Sequence, residues 1–457
     1  TIVGGLAGDS LTDADYNVVV GTNALTADTK GSRNTAIGMN ALAAQNFTTA
    51  TDVYNVAVGQ GAGGSITTGF FNTLMGGLAG DNLTVGNANV AVGTGALGGD
   101  TKGDRNVAIG YGALEGQNFT TSTDSLNTAM GYQAGHDVTT GFYNTLIGGV
   151  CGDQLTDADY NVAMGVSTLG ADTKGSRTTA IGYAALGSQN FSTATNTLNT
   201  AVGFQAGLNI ANGVNNTAIG GEALEAACGN NNTALGAEAG TNVTGDRNTA
   251  IGQASGDGIV SGNDNITIGQ SADVVNGSDA NVICIGVNIT ATSNDFSFGK
   301  ASNVVTNDFD TDANWSRSSD ERLKKNITDQ KLGLDFINDL RTVKYNWKAS
   351  TELDDKDAGL NHLRLDKNSN PVDHKDYDGT VVNNMNTTAT MHNFIAQEVK
   401  AALDKAGVSD FSGWSEDHYG VQQVSREMFV IPLVKAVQEL STKVTTLEAE
   451  ITKLKGE

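Results

Sequence analysis

The chain has 457 residues, 58 of them Gly and only two Pro, Pro371 and Pro432, with a formal net charge of −23. That length exceeds what one simple core organises, and Gly enrichment without Pro excludes collagen and Pro/Gly-rich disorder. No stretch approaches the ~18 consecutive apolar residues of a membrane span. The acidic balance, −18 over residues 1–318 and −5 over 319–457, repels nucleic-acid phosphates.

Thr1 opens directly within repeat sequence, which reads as a fragment or mature form and leaves the export route open. The repeated phrase is Asn-Thr/Val-Ala-Ile-Gly, as in Asn34–Gly38 and Asn106–Gly110. Its Gly recurs from Gly4 to Gly286 in steps of 17, 17, 21 and 17, giving a 72-residue super-repeat whose copies begin at Thr1, Thr73 and Thr145. The later copies lose the 21-residue step. A period this short excludes helical hairpins, and the β-branched residues predict short strands. Stacked rungs turn each position into a column. The apolar residue before each Gly is expected to form a continuous buried core, and the Asn four before it a side-chain amide ladder. Gly at the strand end supplies the conformation that the turn needs. The expectation for residues 1–290 is a β-solenoid or β-roll shaft, with 17 rungs spanning roughly 80 Å.

Each rung carries few large side chains, so one coil buries little and three chains sharing a core are expected. The phrase Asn-Thr-Ala-Ile-Gly followed by Ala-Leu or Ala-Gly resembles the β-roll heads of trimeric autotransporter adhesins, over roughly 290 residues.

The 21-residue step inserts a Gln-Asn-Phe loop in each super-repeat: Gln45-Asn46-Phe47, Gln117-Asn118-Phe119 and Gln189-Asn190-Phe191. An aromatic on an exposed excursion, in register along a fibre, is a candidate contact for a receptor or glycan; the alternative is that each Phe folds back to cap its own loop. Asp28, Lys30 and Arg33, recurring as Asp100, Lys102, Arg105 and Asp172, Lys174, Arg177, read as surface ion pairs. The acidic turns Gly8–Asp15 and Gly152–Asp159 suit either calcium or, on the reading adopted, solvated turns. Cys151, Cys228 and Cys284 have no metal-type spacing, and Cys151 occupies the place of Ala7 and Ala79, a small buried side chain. No metal or cofactor is expected.

Residues 291–318 lose the repeat: Phe296–Gly299 offers a last irregular rung, and Asp308 to Ser318 reads as a linker. Beyond it the sequence is ordinary. Leu334, Ile337 and Leu340 predict a helix, and Val343, Tyr345 and Trp347 a strand. Residues 351–390 read as a long loop, and Phe394–Val399 opens a second helix with Leu403 on its apolar face and Gly407 as its stop. From Glu427 one long helix carries Leu433, Val437, Leu440, Val444, Leu447, Ile451 and Leu454 in strict 4-3 spacing. Val and Ile at a with Leu at d lean towards two strands, whereas the shaft argues for three, which is the reading kept. The domains are then a shaft (1–290), a linker (291–318), a mixed α+β core (319–425) and a coiled coil (426–457).

Four segments carry a second resemblance: Ser319-Asp320-x-Arg322-Leu323-Lys324-x-Asn326-Ile327, Val343–Lys348, Phe394–Val399, and Ala436–Leu440 leading into the coiled coil. They are similar, in order, to the C-terminal intramolecular chaperone of phage endosialidases, tail spikes and tail fibres. Asn393 stands where that family has Gly. The resemblance implies that the module assembles a homotrimer and then cuts itself off between Ser318 and Ser319, with Ser319 as nucleophile and Lys324 as general base. A Ser hydroxyl needs such a base, and Lys serves when burial or nearby cations lower its pKa. In isolation, Ser319 before Asp320 and Glu321 also reads as a helix N-cap.

The function this implies is a virion tail-fibre or receptor-binding shaft, made in the host cytoplasm, that is enzymatic only towards itself. Its partners would be two further copies of itself and a host receptor or glycan, with no nucleic acid and no membrane insertion. A cellular trimeric adhesin using the same assembly module is the alternative, and a glycan-degrading tailspike the third reading.

Overall fold

In the computed structural model the residues described are 1–301, 303–308, 312–317 (backbone only), 321, 324–348, 390–417 and 420–456. The chain divides into two units, Thr1–Ser319 and Asp320–Glu457.

The first unit is a β-solenoid. Most rungs contribute a three-residue strand to the main sheet, such as Thr35–Ile37, Val56–Val58 and Thr73–Met75. The rungs around each inserted loop add a second, two-residue strand, such as Gly31–Ser32 beside Thr51–Asp52. Successive strands pair parallel and in register, so Ala36 lies beside Ala57 and Ala57 beside Leu74. The phrase Asn-x-Ala-x-Gly thereby stacks on itself, and every repeat position becomes a column.

Side-chain parity sets which columns face inward. From Gly21 to Gly286 the residue four before the Gly, Asn except at Thr178 and Val282, is buried. The Asn amide bridges rungs: Asn55 Oδ1 accepts the N–H of Asn72 at 2.9 Å, while Asn72 Nδ2 donates to the Gly86 carbonyl at 2.9 Å. With a period of two, the residue two before the Gly also points inward. That is the Ala36, Ala57, Leu74 and Ala91 column, fully buried. The residue immediately before the Gly therefore points outward, and the expected core column is corrected. Val58, Met75, Val92 and their equivalents along the shaft are half-buried or exposed.

The interior is filled instead from across the coil by Leu25, Leu42, Leu97 and Leu114, four residues after the Gly, or by Ile66, Leu83 and Leu155, seven after it. Where the later position is used, the earlier one is Gly. A Cβ at Gly63 would lie 2.8 Å from Leu74 Cδ1 and 3.1 Å from Ile66 Cδ1. The Gly ending each strand is required for closeness as well as conformation: Gly38 has φ +136°, and a Cβ there would sit 2.3 Å from the Gly59 carbonyl oxygen.

The repeat closes with Ile283–Val287 and Asp295–Lys300, paired parallel. Asn303–Asp308 and Asp312–Arg317 then add antiparallel to the same sheet. Part of the stretch read as linker is thus strand.

The second unit is α+β. Helix α1 (Leu334–Asp339) precedes the strand Val343–Tyr345, which pairs antiparallel with Met391–Asn393. Helix α2 (Ala396–Ala406) ends on Gly407 at φ 65°, the left-handed cap anticipated for it. Trp414–Glu416 pairs with Gln422–Val424, and a 3₁₀ turn, Arg426–Phe429, leads into α3 (Val430–Lys455). Leu332, Phe336, Val399, Leu403 and Phe429 form the core, against which Phe394, Phe411 and Trp414 pack. Phe429 is its centre, with ring centroids 4.8 Å from Phe394, 5.2 Å from Phe411 and 6.1 Å from Phe336. Glu439 on α3 accepts the Leu334 N–H at 2.8 Å, tying the start of α1 to α3. Among the described residues, no helix is long and apolar enough to cross a membrane.

Candidate functional site

The inserted loops are built on buried carboxylates. Asp28 is fully buried and accepts three hydrogen bonds: from Gly31 N at 3.1 Å, Gln45 Nε2 at 2.6 Å and Phe47 N at 3.0 Å. Asp100 and Asp172 repeat this with Gln117 and Phe119, and with Gln189 and Phe191. A buried carboxylate is tolerated because its lone pairs are occupied by aligned donors. The expected surface pairing of these Asp with the neighbouring Lys and Arg is corrected. Arg33 instead pairs with Asp52, on the far side of its loop, at 2.9 Å. Arg105 pairs with Asp124 in the same way, and Arg177 Nε donates to Asn196 at 2.9 Å.

The exposed aromatic expected in each loop is corrected too. Phe47, Phe119 and Phe191 are buried, as are Gln45, Gln117 and Gln189; the exposed member of each triplet is Asn46, Asn118 or Asn190. Sequence reasoning missed the anchoring Asp because a carboxylate between polar neighbours carries no mark of burial. Its recurrence three residues before a Gly that donates to it was the available signal.

Aromatic side chains do lie on the surface, elsewhere. Tyr16, Tyr54, Phe71, Tyr143 and Tyr160 occupy the column five residues before the Gly, each at positive φ and exposed. The Arg33 guanidinium lies 4.9 Å from the Tyr16 ring and 5.5 Å from that of Tyr54, and Arg177 lies 5.1 Å from Tyr160. Four further aromatics follow the Gly directly and stack in pairs, Tyr111 on Tyr132 at 5.6 Å and Tyr183 on Phe204 at 5.5 Å.

Between these margins runs the outward face of the parallel sheet. Its two columns, three residues and one residue before each Gly, contain only Thr, Val, Ile, Met, Leu and, at the last rung, Phe. No charged side chain interrupts it, although the chain carries −23 overall. Along α3, the seven heptad residues from Leu433 to Leu454 are likewise exposed in the single chain.

At the junction of the two units, Ser318, Ser319, Asp320 and Arg322 lie outside the described residues. Lys324 is described: its N–H donates to the Glu321 carbonyl at 3.0 Å, and it is exposed. His392 is exposed, whereas His362, His374 and His418 lie outside the described residues.

The three cysteines are free and buried. Burial pushes the thiols of Cys151 and Cys228 up to about 12 and that of Cys284 up to about 11, so none is a thiolate at neutral pH. Among the described residues, no group of three or more His, Cys, Asp or Glu is placed to hold a metal ion.

Residues 319–363 match the peptidase S74 family, described as chaperone of endosialidase. No curated protein and no solved structure matches the chain. The family match begins at Ser319 and follows a β-solenoid, and both fit the resemblance to phage tail-fibre chaperone modules drawn from the sequence. Together they support a tail-fibre or tailspike-type protein with an intramolecular chaperone.

Proposed function

We propose that this chain is a homotrimeric tail-fibre shaft whose C-terminal module assembles the trimer and then releases itself by cutting before Ser319. The observation that carries this reading is shared by both units. The shaft leaves an uncharged sheet face, one column apolar and the other Thr, Val and Ile, partly open to water along its length, and α3 leaves a full heptad seam uncovered. A monomer rarely exposes a contiguous apolar patch of more than a few hundred Å². A face repeated at constant spacing is best covered by another copy with the same spacing. The module's coiled coil would bring three copies into register, and the shaft faces would close on one another from there.

The cut follows from the chemistry of the residues matched. Ser319 Oγ attacks the Ser318 carbonyl while Lys324 takes the hydroxyl proton. The Ser318–Ser319 C–N bond breaks as that proton passes to the Ser319 nitrogen, and water hydrolyses the resulting ester to the Ser318 carboxylate and the free Ser319 hydroxyl. On this reading, packing of neighbouring copies around Lys324 supplies the burial that a lysine base needs, so cutting waits on assembly. The released shaft would meet the host receptor or glycan at the virion surface, with the Asn46, Asn118 and Asn190 tips among its contacts.

Expression of residues 1–457 beside Ser319→Ala and Lys324→Ala, followed by denaturing gels and mass spectrometry, tests this. The unmutated chain should yield pieces of 318 and 139 residues, and both variants should stay whole. An uncut chain in all three samples overturns the cleavage step. Light scattering on the same samples tests the trimer separately.

A further inference from the structure

The outward sheet face has two margins, and no rung carries an aromatic on both. We infer that the three copies interlock edge to unlike edge: the aromatics five residues before the Gly of one copy pack on the margin just after that Gly on the next copy, entering notches at Gly77 and Gly149. This rests on the homotrimer reading and specifies its seam.

The aromatics never occupy both margins of one rung. Tyr143 shares its rung with Gly149, Phe71 with Gly77, Tyr160 with Val166, Tyr16 with Thr22 and Tyr54 with Gln60. In the rungs where the second margin is aromatic, at Tyr111, Tyr132, Tyr183 and Phe204, the first holds Arg or Leu instead. Gly77 and Gly149 are open positions: a Cβ built on either meets nothing within 4 Å, and neither has positive φ. Their own chain therefore does not require Gly there for fold or fit, in contrast to the Gly ending each strand. An empty place facing outward, in the same rung as an exposed ring, is explained by a ring arriving from outside.

Symmetry decides which ring arrives. In a cyclic trimer whose axis runs along the shaft, copies are related by rotation without translation, so rung meets the same rung. Each copy then turns its leading edge to its neighbour's trailing edge, a heterologous contact that closes after three steps. Tyr143 is thereby set against Gly149 of the neighbour, and Phe71 against Gly77. In the rungs between, Tyr111 and Tyr183 are set against Arg105 and Arg177, a pairing of ring and guanidinium. A two-fold pairing would join like edges and leave the notches unfilled.

The test uses the full chain. Tyr143→Cys with Gly149→Cys places two thiols at opposite margins of one strand, roughly 15–20 Å apart along an extended chain, beyond the ~7 Å that a disulfide bridges. They cannot join within one copy. Under mild oxidation the double variant should run as a covalent trimer on a non-reducing gel. Neither single variant should cross-link, nor should the unmutated chain, whose three native thiols are buried. In parallel, Gly149→Trp should reduce the native particle mass below that of a trimer while circular dichroism stays unchanged, and Tyr143→Ala added to it should restore the trimer. A trimeric unmutated chain with no covalent trimer in the double variant overturns the interlocking seam and leaves the trimer standing. Cross-linking of a single Cys variant overturns it in favour of like-edge pairing. A monomeric unmutated chain overturns the trimer reading itself.

Discussion

The shaft and the C-terminal module hold themselves together in opposite ways. In the shaft every rung leans only on its two neighbours, through Asn amides, Ala and Leu columns and in-register strands. In the module, residues nearly a hundred positions apart meet at one ring: Phe336, Phe394 and Phe411 all touch Phe429. A repeat array distributes stability as a sum of neighbour terms. A single aromatic core concentrates it. Lesions should therefore stay local in the first and spread in the second.

Phe429→Ala is the largest expected effect. Truncating a buried Phe at the centre of a small core costs about 3–5 kcal/mol, enough to unfold a unit of marginal stability. The module's near-ultraviolet signal and its thermal transition should be lost together, while the shaft stays folded and its transition moves only as far as loss of the trimer contacts moves it, as in a chain ending at Ser318. A shaft transition that moves further than in that shorter chain would break the contrast, because the two units would then be stabilising one another.

Asn55→Ala sharpens it from the other side. Asn55 donates to the Gly69 carbonyl and to Gln45 Oε1, both at 2.8 Å, and accepts the Asn72 N–H at 2.9 Å. Removing it orphans groups that are fully buried, at about 1–3 kcal/mol for each. Amide exchange should accelerate in the rungs around Asn34, Asn55 and Asn72 and remain slow some rungs away, near Asn161. Uniform acceleration along the shaft would show that it opens as one cooperative body.

The same contrast governs what was readable in advance. Periodicity exposes columns, so the solenoid, its rung spacing and its Asn ladder were legible from the phrase Asn-Thr-Ala-Ile-Gly. The facing of one column does not follow from the apolar pattern, and for a physical reason. An Asn pointing inward and an apolar residue three positions later pointing inward cannot coexist on a strand of period two. Once the ladder claims the inside, Ile37 must go outside and Ala36 inside, and the small size of Ala36, beside Leu42 across the coil, was the clue. In the module, local signals served for the left-handed cap at Gly407 and for Leu403 on the buried face of α2. They could not reveal Phe429 as the hub, because its partners come from distant parts of the chain. The loop aromatics failed similarly, since the burial of Phe47 depends on Asp28 one rung away.

The smallest predicted effect comes from the end of the shaft, where the regular ladder gives way. Asp273 lies beside Asp257, and burial, reinforced by the hydrogen bond between the two carboxyls, pushes its pKa up to about 7. Donation from Gly258 N and Val274 N, each at 2.8 Å, opposes this without cancelling it. In the unfolded chain the same group titrates at about 4. Between those values the folded state holds a proton that the unfolded state has released, so stability falls as pH rises through this window and is recovered on acidification. This is the reverse of a salt-bridged carboxylate. The last rungs should therefore exchange their amides more slowly, after correction for intrinsic rates, at pH 5 than at pH 7.5. Asp273→Asn should remove that difference while leaving the rungs near Asn161 unaffected. An unchanged pH dependence in the Asn variant would mean that the effect comes from the diffuse acidity of the shaft and not from this pair. Carboxyl carbon shifts of Asp273, followed across the same range, separate the two directly, because only a proton held at this site moves its midpoint to near neutrality.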